Sequence, residues 1–143
     1  MTPEELKRRT KRFAVETIRF HRTLPGTEET RVIGRQLLRA ASGVGANYRA
    51  VCRAKTDSDF IYKLGVCIEE SDEAGYWVEI LVEAEIIPAS RGRDLIREAD
   101  ELTRILVASR ETVRARIRRR RTAHESKIKN GKSKIVQTHS GGG

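Results

Sequence analysis

Five arginines in one stretch, Arg31, Arg35, Arg39, Arg49 and Arg53, have the residue type and spacing to contact phosphates. At a 3.6-residue period they share one side of a helix, interrupted by the small Ser42 and Ala46. Guanidinium groups spaced along such a face can each neutralise a phosphate through charge-assisted, often bidentate bonds. Two other readings stand beside this one. The stripe can be a solvated face, or it can pair with Glu69, Glu70 and Glu73, which a later stretch carries on its non-core side. Supplied by a neighbouring subunit, those acids would make a heterologous, ring-closing contact.

A second basic set is denser. From Arg116 onward the chain has nine basic residues and one acid, Glu125, a net charge of +8. The set is Arg116, Arg118, Arg119, Arg120, Arg121, Lys127, Lys129, Lys132 and Lys134. Such a run can bind RNA or DNA without sequence preference and with strong salt dependence, or serve only to solubilise. Residues 1–115 hold twenty basic and nineteen acidic groups, so the high overall charge of +9 resides in the tail.

Other chemistry finds little support. Glu69, Glu70, Glu73 and Glu83 lack the Glu-x-x-His spacing of di-iron bundles, and His21, His124 and His139 are scattered. Cys52 and Cys67 are too few and too far apart for a zinc site, and read as buried, reduced thiols. The Gly43-Val44-Gly45 run follows no strand and belongs to no GxxxxGK[ST] loop. Neither an enzyme nor a cofactor or metal is expected. The charged N-terminus lacks the apolar core of a signal peptide, and no run is long enough to span a membrane, so a cytoplasmic protein is expected.

The elements that must position these residues are helical. Among 143 residues, 34% are charged and only 5% aromatic, the balance of helices with solvated faces. Thr2-Pro3-Glu4-Glu5 forms a capping box with proline at the first helical position, and Leu6, Phe13, Thr17 and Phe20, with Ala14 and Ile18 alongside, make a core stripe. Leu24-Pro25-Gly26 breaks that helix. Thr27 caps a second one running to about Lys55, with Ile33, Leu37, Ala41, Val44, Tyr48 and Val51 on its apolar side. Gly34, Gly43 and Gly45 within it point to close approach by another backbone.

A third helix is predicted from about Asp59 to Ile87, stopped by Pro88. Its main stripe is Phe60, Leu64, Cys67, Ser71, Ala74, Val78, Leu81 and Val82. A second apolar set, Tyr62, Val66, Trp77, Ile80 and Ile87, lies on another side among Glu69, Glu70 and Glu73, which suggests a subunit interface. Tyr62 and Trp77 can alternatively stack on bases. Asn47, at the edge of the core stripe, reads as a hydrogen-bonded polar group that fixes helix packing. A last helix, capped by Ser90 and striped by Leu95, Leu102, Leu106, Ser109, Val113 and Ile117, is expected to end near Arg118.

These observations predict an all-α, up-down-up-down antiparallel four-helix bundle over residues 1–118, with a disordered basic tail at 119–143.

Gln36, Leu37, Arg39, Ala40 and Asn47 match a Gln-Leu-x-Arg-Ala-x-x-Ser/Gly-x-x-x-Asn pattern, and Phe60, Leu64, Glu70 and Glu73 match Phe-x-x-x-Leu-x-x-x-x-x-Glu-x-x-Glu. From about Arg22 to Pro88 the chain thereby resembles the bacterial 23S rRNA intervening-sequence proteins. The resemblance implies a four-helix bundle assembling into a ring-like homopentamer, and no known activity. A branch related in fold, the accessory proteins of diversity-generating retroelements, uses a basic surface to bind nucleic acid and a reverse-transcriptase partner. The basic tail is outside the common pattern. Two functions are therefore expected in competition: an oligomeric bundle that binds nucleic acid, RNA favoured, or a self-assembling scaffold for a protein partner.

Overall fold

In the computed structural model the described residues are 1–139, with side chains through residue 133. They form four helices and no strand: α1 (Pro3–His21), α2 (Glu28–Cys52), α3 (Asp57–Glu83) and α4 (Ala89–His139). The terminal glycine run and the side chain of Lys134 lie outside the described residues. Two compact units divide the chain, Met1–Arg110 and Glu111–Gly143.

Local chemistry sets the starts of the first three helices. Thr2 Oγ1 accepts from the Glu5 amide at 3.1 Å, and the Thr2 amide donates to Glu5 Oε2 at 2.8 Å. That backbone bond holds the exposed Glu5 carboxyl below its ordinary range. Thr27 and Thr56 cap α2 and α3 in the same manner, each accepting from the amide three residues on.

The end of α3 differs from the sequence expectation. It stops at Glu83, four residues before Ile87, because Glu85 turns into the left-handed region at φ 60°. The Glu85 amide donates to the Val82 carbonyl and the Ile86 amide to Leu81, which is the Schellman pattern. Glycine normally occupies that position, so the stop is hidden in the sequence. Left-handed geometry costs an L-residue about 1–2 kcal/mol, partly offset by the extra unfolded-state freedom of glycine. Glu85→Gly should therefore raise the unfolding free energy by about 0.5–1 kcal/mol, read by urea titration.

The core gathers the predicted stripes. Phe13, Leu37, Val44, Leu64, Val78, Leu81, Leu102 and Leu106 are almost fully buried, each contributing about 1.5–3 kcal/mol by removal from water. Thr10, Thr17 and Ser71 are also buried; Thr10, four residues after Leu6, has the spacing of the α1 stripe although it was not named in it. Thr10 and Thr17 donate to the carbonyls of Leu6 and Phe13, while Ser71 bonds Thr103 on α4 at 2.7 Å. Ile18 is 40% exposed, and Cys52 lies at the surface rather than in the core. Cys67 is buried, and burial pushes its thiol up to about 12.

Contacts between helices run in reversed numerical order. Gly34 meets His21 whereas Gly45 meets Thr10; Arg39 bonds Glu73 whereas Asn47 bonds Glu70. Between α3 and α4, Ser71 meets Thr103 and Gly75 meets Ala99. Arg9 on α1 reaches Glu98 and Glu101 on α4 at 2.6 and 2.9 Å. Thus α1 and α3 each lie beside both α2 and α4. The expected close backbone approach occurs at Gly45, where a Cβ would stand 3.3 Å from the Lys11 amide; Gly34 and Gly43 instead face side chains.

The sequence expectation placed a disordered tail at 119–143, yet α4 continues to His139. Ser90 lies in its first turn rather than at its cap. Arg, Lys, Ala and Glu are strong helix formers, so the segment can be helical with no apolar stripe. Residues 118–130 are exposed throughout, and Thr122 Oγ1 donates to the Arg118 carbonyl.

Candidate functional site

The residues of the Gln36–Asn47 and Phe60–Glu73 patterns meet as a polar ladder along the α2–α3 seam. Gln36 Oε1 accepts from Arg39 Nε and Nη2 at 3.3 Å, and Arg39 Nη2 donates to Glu73 Oε1. The same oxygen accepts from Trp77 Nε1 at 3.1 Å. Farther along α2, Asn47 Nδ2 donates to both oxygens of Glu70, at 3.1 and 3.2 Å. That carboxylate lies over Gly43, where a Cβ would oblige the end of the Glu70 side chain to shift. Gly43 occupies the Ser/Gly position of the sequence pattern, and the Glu70 carboxylate leaves little room there for a long side chain.

Electrostatics sharpen the role of Asn47. Burial pushes the Glu70 carboxyl above its ordinary range; the Asn47 bonds and nearby Arg39 pull it down, while Glu73 and Glu69 push it up. The ladder is satisfied within one chain. Arg39 and Glu73, read from sequence as candidates for pairing between subunits, bond each other here, although the exposed Arg39–Glu73 pair contributes only about 0–1 kcal/mol.

The candidate interface set on α3 divides in two. Glu70, Glu73 and Trp77 are half-buried and engaged at the seam, with Trp77 packed against the core. Tyr62 is 73% exposed, Glu69 is exposed, and Val66 and Ile80 are half-buried. Tyr76, which the sequence reading did not name, is 52% exposed and meets Trp77 edge-on with ring centroids 5.1 Å apart.

All five arginines of the α2 stripe are exposed. Arg39 is committed to Glu73; Arg31, Arg35, Arg49 and Arg53 form no ion pair among the described residues. In the second unit, Arg116, Arg118, Arg119, Arg120, Arg121, Lys127, Lys129 and Lys132 are exposed around a helix. No group of three or more His, Cys, Asp or Glu side chains suited to a metal occurs among the described residues. No described helix is long and apolar enough to cross a membrane.

Besides Tyr76, two features escaped the sequence reading. Arg9 forms a half-buried ion pair with Glu98 and a second with Glu101, which raise its pKa further and tie α1 to α4. The near-neutral first unit is also polarised. Residues 1–55 carry thirteen basic and five acidic groups, whereas residues 56–110 carry six basic and thirteen acidic groups. Counting charge separately for each half would have found this.

This all-helical bundle with its α2–α3 ladder defines the class, and comparison with known proteins identifies the family. Residues 4–108 match the model of the 23S rRNA-intervening sequence protein family, and the chain belongs to that family. A solved structure from Bacteroides thetaiotaomicron is similar: a protein of unknown function from the S23 ribosomal protein family. It is 27% identical, with a TM-score of 0.72, over 78% of this chain and 99% of that one. No curated protein matches the chain.

Proposed function

We propose that this protein is a non-catalytic, cytoplasmic, homo-oligomeric bundle that binds nucleic acid electrostatically, with RNA favoured. The observation that carries the reading is the α4 segment from Arg116 to Lys132, a helix whose cations are exposed on every side. Many exposed cations on a helix favour phosphate contacts without base readout, because counterion release is indifferent to sequence. The exposed arginines of α2 are further cations of the same kind, in the first unit. An up-down-up-down antiparallel order is supported by the reversed order of the interhelical contacts, and a pentameric ring by the family resemblance. Retention of labelled RNA and DNA of equal length on a filter tests the reading. RNA retained at low salt and released as salt rises is expected; no retention of either would refute it.

A second reading, a scaffold for a protein partner, is favoured by the outer side of α3. Tyr62 and Tyr76 are 73% and 52% exposed there, near Val66 and Ile80. Aromatic residues are enriched at interface cores. Light scattering on the purified protein should give the mass of an oligomer, reduced by Tyr62→Arg if this side is the contact. A monomer at tens of micromolar would remove both this interface and the ring.

A further inference from the structure

The α1–α2 seam carries a groove of about 550 Å³, within the ordinary size of a ligand cleft. Gly45 explains its floor. With no side chain there, the α1 backbone comes within 3.3 Å of where its Cβ would lie, and Ala14, Ser42 and Ala46 beside it are too short to fill the valley. The walls are long and cationic. Lys7, Arg8 and Lys11 stand on α1, and Arg49 stands opposite on α2. Lys7 and Lys11 are one turn apart, about 6 Å along the helix axis. Glu4 is the one acid of the lining and pairs with Lys7 at 3.1 Å. Arg8, Lys11 and Arg49 are exposed and form no ion pair among the described residues.

We propose that this groove is a second nucleic-acid backbone site, taking a phosphodiester strand between Lys7, Arg8 and Lys11 on one wall and Arg49 on the other. The proposal rests on the nucleic-acid reading above but assigns it to residues in the first unit, separate from the basic segment of α4. Two features favour a polyanion over a protein segment. The groove holds no large apolar side chain to serve as the buried anchor of a protein interface, so attraction within it is electrostatic. It also lies in the half of the bundle with thirteen basic against five acidic groups, whose field steers anions toward it. The comparable α3–α4 groove contrasts with it, mixing Asp72, Glu79 and Asp100 with Arg93 and Arg97, so that its lining offers anions no net attraction.

Fluorescence anisotropy of the full chain with a labelled single-stranded RNA homopolymer, across potassium chloride concentrations, tests the site. Lys11→Gln/Arg49→Gln removes two cations while keeping helix propensity. The slope of log K against log salt should become shallower by about 1.4, the loss of two contacts to a single strand. An unchanged slope in a variant compared with a wild type that binds would overturn the groove and leave the reading for α4 intact. No binding by the wild type at 25 mM salt, a concentration chosen as roughly the weakest screening practical, would overturn both. A reduced molar mass of the variant in light scattering would assign the groove to a second copy of the chain and overturn the proposal.

Discussion

Asn47→Ala should destabilise the bundle by about 2 kcal/mol at neutral pH, and by less in acid. The substitution removes both donors to Glu70 and leaves a half-buried carboxylate over Gly43 without the bonds that favour its charge. The sign of the pH dependence follows from the raised pKa of Glu70. A carboxyl that binds protons more tightly folded than unfolded adds stability below its unfolded value of about 4.5. That contribution is lost as pH rises through the folded value. Without Asn47 the folded pKa moves higher still, so the deficit grows from pH 4.5 toward neutrality. Urea unfolding of wild type and variant across that range measures it. Glu70→Gln keeps an acceptor but no charge, and should remove the pH-dependent part. A deficit equal at all pH values would mean that Asn47 acts through packing alone.

Replacing Arg118, Arg119, Arg120 and Arg121 together by glutamine should weaken RNA binding on the order of 10²-fold at 0.15 M salt. All four side chains are exposed, so the core does not depend on them. Arginine and glutamine have similar helix propensities, so circular dichroism should be unchanged. Four lost contacts to a single strand remove about 2.8 from the salt slope, and that factor at 0.15 M gives the expected loss. An affinity within twofold of wild type would show that this part of α4 is only a solubilising extension.

How far the sequence discloses this protein depends on whether the deciding contact is local or lies between helices. The Thr2 and Thr27 caps and the apolar stripes are local patterns, and the structure follows them closely. The stop after Glu83 was hidden because a glutamate occupies the left-handed position that glycine usually marks. The continuation of α4 was hidden because helix propensity, unaccompanied by an apolar stripe, looks like a disordered basic tail. At the candidate sites, the sequence put Arg39 on one helix face and Glu73 on another but left the rotation between α2 and α3 open. Their bond within one chain therefore needed the structure. The groove walls come from α1 and α2, whose cations are far apart in sequence and invisible to a stripe search on either helix.

The most direct test of the central claim is the salt dependence of RNA binding by the full chain. With at least six phosphates contacted by the α4 cations and the α1–α2 groove, log K against log potassium chloride should fall with a slope of roughly −4 or steeper. A slope shallower than about −1, or no binding at the lowest salt, would contradict an electrostatic nucleic-acid binder.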